Sequence, residues 1–186
     1  MIDQLSCISF QIETLSISTN SYVVLYLSSI QDKLWPIPFP TFSDLKRLTL
    51  DIYGIRHRSI LLWSHLIDAC PSLRELKLEL NWRVSLRFFD SFSWLTKATN
   101  KIHLCLEEVH LVGFVGCHAD VEFVAYLVKI APLLKRFTMD TRKPISIRSD
   151  KHEISTREKV KRQCSKQWAE QLARQQFPPI LDVVII

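Results

Sequence analysis

Apolar residues recur along the chain at spacings of three and then two. Leu73, Leu76 and Leu78 do so in CPSLRELKLELNW, with Asn81 three places on. Ile12, Leu15 and Ile17 repeat the spacing, with Asn20 in the place of Asn81, as do Leu45, Leu48 and Leu50, then Leu106, Val109 and Leu111, then Leu134, Phe137 and Met139. A weaker copy, Ile180, Val183 and Ile185, closes the chain. Around each middle residue apolar and polar positions alternate, the pattern of a strand with one face buried. The middle residues stand 33, 28, 33 and 28 residues apart and then 46, and every second one up to Phe137 is 61 from its counterpart. The unit is therefore a pair of repeats, and ACPSLRELKL aligns with IAPLLKRFTM, proline two places before the first anchor in both. A fixed period of this kind is the mark of an array, because one unit cannot bury its apolar face without stacking on the next.

Helical patterns lie between the strands. Ser59 is placed to cap ILLWSHLIDAC, in which Leu62, Trp63, Leu66, Ile67 and Cys70 share a face and Pro71 is the stop. Asp120 is placed to cap VEFVAYLVKIA, with Glu122 in its first turn, Lys129 in its last and Pro132 as the stop. The long final interval predicts a third helix, opened by a Ser155 to Glu158 capping box and closed by Pro178 and Pro179. Its residues Val160, Cys164, Trp168 and Leu172 form one stripe, expected to lie on the body of the protein while the cations face water. Residues 142–151 and 34–40 read as irregular connectors. Strands joined by crossover helices run parallel, so the predicted architecture is α/β: a leucine-rich-repeat solenoid with a curved parallel sheet and helices on its outer side.

In such a sheet the motif residues turn inward and the alternating residues line the concave face. Those are Ser16 and Ser18, Thr49 and Asp51, Lys77 and Glu79, His110 and Val112, Thr138 and Asp140. Five stacked pairs of mixed sign suit the reading of a protein surface by shape and charge.

With 186 residues, 47% apolar, 23% charged and three glycines, the chain has the makings of a packed core rather than a disordered tract. No apolar run reaches the roughly 18 residues of a membrane span, and no membrane role is expected. Five cysteines without close paired spacing, Cys7, Cys70, Cys105, Cys117 and Cys164, argue against a disulfide framework. Together these point to an intracellular protein of nucleus or cytoplasm. The net charge of +5 is concentrated between residues 157 and 174, where six cations, Arg157, Lys159, Lys161, Arg162, Lys166 and Arg174, face two anions. That helix raises a rival reading as a binder of nucleic acid or an anionic surface, but no aromatic residues interleave with the cations as a stacking platform would require. No nucleophile with its base, no carboxylate cluster and no glycine-rich phosphate loop is present, so neither enzymatic activity nor a cofactor is expected. His103, Cys105, His110, Cys117 and His118 lack the paired spacings of a zinc site, and no metal is expected there.

The run CLEEVHLVGFVGCHADVEFVAYLVKIAPLLKRFTMDTR, residues 105–142, resembles the FBD region at the carboxyl end of plant F-box proteins with leucine-rich repeats. The strand LEEVHLVGF, the pair Gly113 and Gly116, the helix DVEFVAYLVKIAP and the strand closing on Asp140 carry the likeness. REKVKRQCSKQWAEQLARQQFPPILDVVII is similar to that family's terminal basic helix, proline break and hydrophobic last strand. The resemblance implies repeats over residues 1–100 and an FBD-like region over 101–186 continuing the solenoid. It further implies the target-recognition part of a ubiquitin-ligase substrate receptor, whose Skp-type adaptor is bound through a separate F-box. The first motif already begins at Ile12, leaving no room for an F-box, so adaptor docking is not expected of this chain, and a truncated product without a partner is a further alternative. Ile8, Phe10 and Ile12 near one end and residues 181–186 at the other read as uncapped apolar flanks, from which self-association of the isolated chain is expected.

Overall fold

The computed structural model describes residues 11–19, 39–53, 60–81, 101–142 and 156–186. Cys7, Ile8, Phe10, Asn20, the predicted cap Ser59, the capping residue Ser155 and most of the two connectors lie outside these residues, and the side chains of Leu62, Arg157 and Glu158 are likewise outside the description. Six strands form one sheet in chain order: β1 (Thr14–Thr19), β2 (Arg47–Tyr53), β3 (Glu75–Asn81), β4 (Glu108–Val112), β5 (Arg136–Asp140) and β6 (Asp182–Ile185). Every neighbouring pair is parallel. The described helices are α1 (Ile60–Asp68), α2 (His118–Ile130) and α3 (Thr156–Gln176).

The register is the one the repeat spacing demands. Leu15, Leu48, Leu76, Val109, Phe137 and Val183 are Cα partners from strand to strand, and Ile17, Leu50, Leu78, Leu111, Met139 and Ile185 form the next inward row. From β2 to β5 both rows are buried almost completely, while the rows thin towards the ends of the sheet, where Leu15, Ile17, Val183 and Ile185 are half-buried. Just ahead of each of the first four strands one carbonyl serves two donors. Glu13 O accepts from Lys46 N and Arg47 N, Lys46 O from Arg74 N and Glu75 N, Arg74 O from Glu107 N and Glu108 N, and Glu107 O from Lys135 N and Arg136 N, at 2.8–3.1 Å. A carbonyl oxygen has two lone pairs, so this sharing satisfies both donors where the chain turns into the sheet.

The pairing of repeats also appears in the contacts. Phe42 N donates to Ala69 O at 2.8 Å, and His103 N, one super-unit later, donates to Ile130 O at 2.7 Å. Phe42 is wholly buried at its position. His103 is as buried, and its Nε2 meets Asp68 Oδ1 at 3.2 Å, so the polar ring is accommodated by a carboxylate on the end of α1. On α1, Trp63, Leu66 and Ile67, together with Cys70 beyond it, face the core as the spacing predicted. Burial pushes the Cys70 thiol up to about 12, which makes it a small apolar filler rather than a reactive group.

Two sequence-based expectations are corrected. Asp120 does not precede its helix. Cys117 is the N-cap residue without a side-chain cap, α2 begins at His118, and Asp120 sits in the first turn with its carboxylate turned back onto the preceding loop. Its Oδ2 accepts Val115 N at 2.9 Å and Gly116 N at 3.0 Å. A carboxylate here also meets the positive end of the helix, so loop and helix start are tied together by one side chain. Glu122 is buried and pairs with His118, its Oε1 3.1 Å from His118 Nε2.

The second correction concerns α3. Ser165, Ala169 and Leu172 are buried, and Ser165 Oγ donates to Val115 O at 3.2 Å, whereas Val160, Cys164 and Trp168 are exposed. Of the expected stripe only Leu172 is buried, while Trp168 lies over Gly116 with half of its surface exposed. The reason is distance. Gly113 and Gly116 both take positive φ, 85° and 77°, turning the loop under α3, and a Cβ at Gly116 would lie 2.8 Å from Trp168 Cβ. An approach that close requires glycine beneath the base of the tryptophan.

Three outcomes are expected. Leu76→Ala should destabilise by about 2–5 kcal/mol, and Lys77→Ala, one residue on but on the opposite face, by under about 0.5 kcal/mol; urea titration separates them, and equal losses would be incompatible with the register. Gly116→Ala should destabilise by about 1–3 kcal/mol, from its positive φ and from the clash with Trp168. Adding Trp168→Ala should recover only the part due to the clash, giving non-additive changes in thermal unfolding. Burial pushes the Asp120 carboxyl up to about 7, its backbone donors at Val115, Gly116 and Cys117 opposing only in part. A raised acid favours the fold most below its ordinary value of 3.8 and loses that contribution as pH rises through about 7. The melting temperature of Asp120→Asn relative to the parent should therefore rise from about pH 5 to about pH 8, and a constant difference would contradict the assignment.

Candidate functional site

The inward rows leave the intervening residues of each strand on the other face of the sheet, where the register stacks them into two ladders. The first runs Ser16, Thr49, Lys77, His110, Thr138 and Val184, and the second Ser18, Asp51, Glu79, Val112 and Asp140. All ten residues expected on this face from the sequence fall into these ladders, and the last strand adds Val184. Ser16 and Ser18 are exposed, and Thr49, Asp51, Lys77, Glu79, His110, Val112 and Thr138 are half-buried.

Hydrogen bonds and ion pairs along and across the ladders hold the polar groups in place. Asp51 Oδ2 accepts Ser18 Oγ at 3.2 Å and Asp51 Oδ1 accepts Asn81 Nδ2 at 3.0 Å, linking three strands. Lys77 Nζ lies 2.6 Å from Glu79 Oε1 within β3. Burial holds the His110 ring below the usual imidazole range, helped by the Lys77 charge and opposed by Asp140 and Glu79, so the ring is neutral at pH 7. Its Nε2 has no hydrogen-bond partner among the described residues. The middle of the face thus presents one cation, two carboxylates and a neutral imidazole, flanked by hydroxyls towards β1 and by Val112, Thr138 and Val184 towards β6.

Asp140 departs from the sequence expectation, which left it open on this face. It is buried, and its carboxylate is taken up by Arg142, accepting from the backbone N at 2.9 Å, from Nε at 2.8 Å and from Nη2 at 2.6 Å. Burial opposes its ionisation, but these donors and the Arg142 charge outweigh it and hold the carboxyl below the usual range. Arg142, exposed at the end of β5, is the group presented instead. The Asp-x-Arg spacing at residues 140–142 is the signal that could have revealed it, since a bidentate arginine clasp is a strong way to satisfy a buried carboxylate.

A model of the At1g61320/AtMIF1 LRR-domain family matches residues 1–176. The chain belongs to this leucine-rich-repeat family. No curated protein and no solved structure matches it. Leucine-rich-repeat domains are in general non-catalytic modules for protein interaction.

Beyond the sheet, Lys159, Lys161, Lys166 and Arg174 of α3 are exposed and Arg162 is half-buried, while the Arg157 side chain lies outside the described residues. The five metal-ligand types noted in the sequence are dispersed. His103 is at Asp68, His110 is on the open sheet face, His118 is at Glu122, Cys105 is exposed and Cys117 starts α2. Among the described residues no three His, Cys, Asp or Glu side chains are grouped to hold a metal, and no helix is long and apolar enough to cross a membrane.

Proposed function

We propose that this leucine-rich-repeat chain binds a protein target on its open sheet face, around Asp51, Lys77, Glu79, His110 and Arg142, and that it acts as the target-recognition part of an F-box type ubiquitin-ligase substrate receptor. One observation carries the binding role: five strands in unbroken register present hydroxyl, charged and apolar groups side by side on the face opposite the core. Groups held by a rigid sheet lose little freedom when a partner arrives, and complementary charge selects among partners more than it adds affinity. The ligase role is supported by the likeness of residues 105–142 and of the terminal helix and strand to the FBD region. On that reading residues 101–186 continue the repeats as an FBD-like region, and the chain works in the nucleus or cytoplasm.

The charge swap Lys77→Glu with Glu79→Lys keeps the net charge and leaves the buried rows untouched, so it tests the face without unfolding the chain. Proteins captured from extract by the parent chain should be lost with the swapped one, at unchanged melting temperature. A target of a ligase receptor should also carry ubiquitin in cells that make the chain and lose it in cells that do not. Capture that survives the swap would remove the sheet face from the function. Capture that collapses equally for both chains on adding salt would favour the basic helix and a polyanion instead.

A further inference from the structure

The loop of residues 113–117 is a joint between three elements. It leads from β4 into α2, and α3 rests on it: Ser165 Oγ donates to Val115 O at 3.2 Å, and Cβ and Cγ of Trp168 lie over Gly116. The start of the loop is tied to the sheet, Gly113 N donating to Asp140 O at 2.8 Å and Phe114 N to the same oxygen at 3.2 Å. The next two N–H groups, of Val115 and Gly116, both go to Asp120 Oδ2. Val115 is therefore bonded through its N–H to α2 and through its C=O to α3, and one carboxyl group holds the part of the loop on which α3 sits.

That carboxyl group is in a demanding place. Asp120 is wholly buried, and its Oδ1 is buried with no hydrogen-bond partner among the described residues. A carboxylate taken out of water without a counter-charge is costly, and uptake of a proton relieves the cost. The groups that act on it most are uncharged: the N–H groups of Val115, Gly116 and Cys117, and the Cys117 thiol. Further along α2, His118 is paired with Glu122. On α3 the residues over the loop are Ser165 and Trp168, and Lys161 and Arg162 come one turn before Ser165, the first exposed and the second half-buried. On β5, Asp140 is clasped by Arg142. Burial outweighs the donors, and the group keeps its proton up to about 7. Once ionised it gains by reaching water, which requires the loop and the helix above it to move away. We infer that Asp120 is a pH-operated latch: taking up a proton secures residues 115–117 and the seat of α3, and losing it releases both while the sheet stays folded. The latch is independent of any partner on the sheet face.

The test is hydrogen exchange of the full chain, followed by mass spectrometry from about pH 5 to about pH 8, with rates corrected for the pH dependence of a free amide. A single proton bound only in the closed form makes the opening constant rise about tenfold per pH unit. Segments covering residues 113–117 and α3 should show that rise and level off above about 7, while segments covering β2 and β3 stay constant. Asp120→Asn, which cannot ionise, should abolish the rise. Histidines as a class change charge in the same range, so His118→Gln is the control and should keep it. A rise that is absent from the parent, spread equally over the sheet, retained in Asp120→Asn or lost in His118→Gln would overturn the inference. Should Asp120→Asn fail to fold, the parent profile and His118→Gln decide by the same criteria.

Discussion

Everything in this protein depends on keeping one row of apolar side chains in line across six parallel strands. Leu15, Leu48, Leu76, Val109, Phe137 and Val183 meet as Cα partners, and the alternation along each strand then settles which side every other residue occupies. A slip of one residue in any strand would carry its leucines to solvent and its charges into the core. The shared carbonyls at the strand entrances and the flanking ion pairs agree with that register. Lys46 Nζ reaches Glu13 Oε1 at 2.6 Å, Lys135 Nζ reaches Glu107 Oε2 at 3.1 Å and Arg136 Nε reaches Asp182 Oδ2 at 2.9 Å. Exposed pairs of this kind are screened by water and contribute little, so burial of the rows carries the stability and the pairs reinforce the alignment.

The same register creates the open face of the sheet. Because the two outward ladders are fixed by the inward ones, residues far apart in sequence, such as Ser18 and Asp51 or Lys77 and His110, become neighbours on a rigid surface. Charge on that surface is organised by local partners as much as by solvent. Asp140 is consumed by Arg142 and so exchanges an expected carboxylate for a guanidinium, while His110, neutral in its half-buried place, adds a hydrogen-bonding ring rather than a charge. The face is therefore less acidic at its β5 end than the residue types alone imply.

At the loop of residues 113–117, packing overrides the pattern of apolar residues. Two glycines with positive φ let this loop pass close beneath α3, Asp120 gathers its N–H groups from below, and Ser165 takes the Val115 carbonyl from above. Close approach selects glycine in the loop beneath Trp168, whose other half stays exposed. Trp168 thereby becomes both a wall of the contact and an exposed surface.

The sequence by itself determined the strands, their parallel order, their register and the pairing of repeats, because these follow from periodicity: each motif must bury the same two or three residues, and a spacing read along the chain is the spacing realised across the sheet. It also determined which residues alternate to the open face, though not how exposed each one is. What the tertiary structure alone decided is how non-repeating neighbours share space. Val160, Cys164, Trp168 and Leu172 look like one docking stripe when only hydrophobicity and spacing are counted, yet Ser165, Ala169 and Leu172 are the residues buried, with Ser165 bonded to the glycine loop. Asp120 looks like a helix cap by residue type, yet the free N–H groups of Val115 and Gly116 draw its carboxylate from within the first turn. Asp140 looks open by alternation, yet Arg142 two residues on closes over it. In each case the deciding partner is a backbone group or side chain whose position no periodicity encodes, and the physical reason is the same: a buried polar atom or a close contact is settled by the particular neighbour that satisfies it.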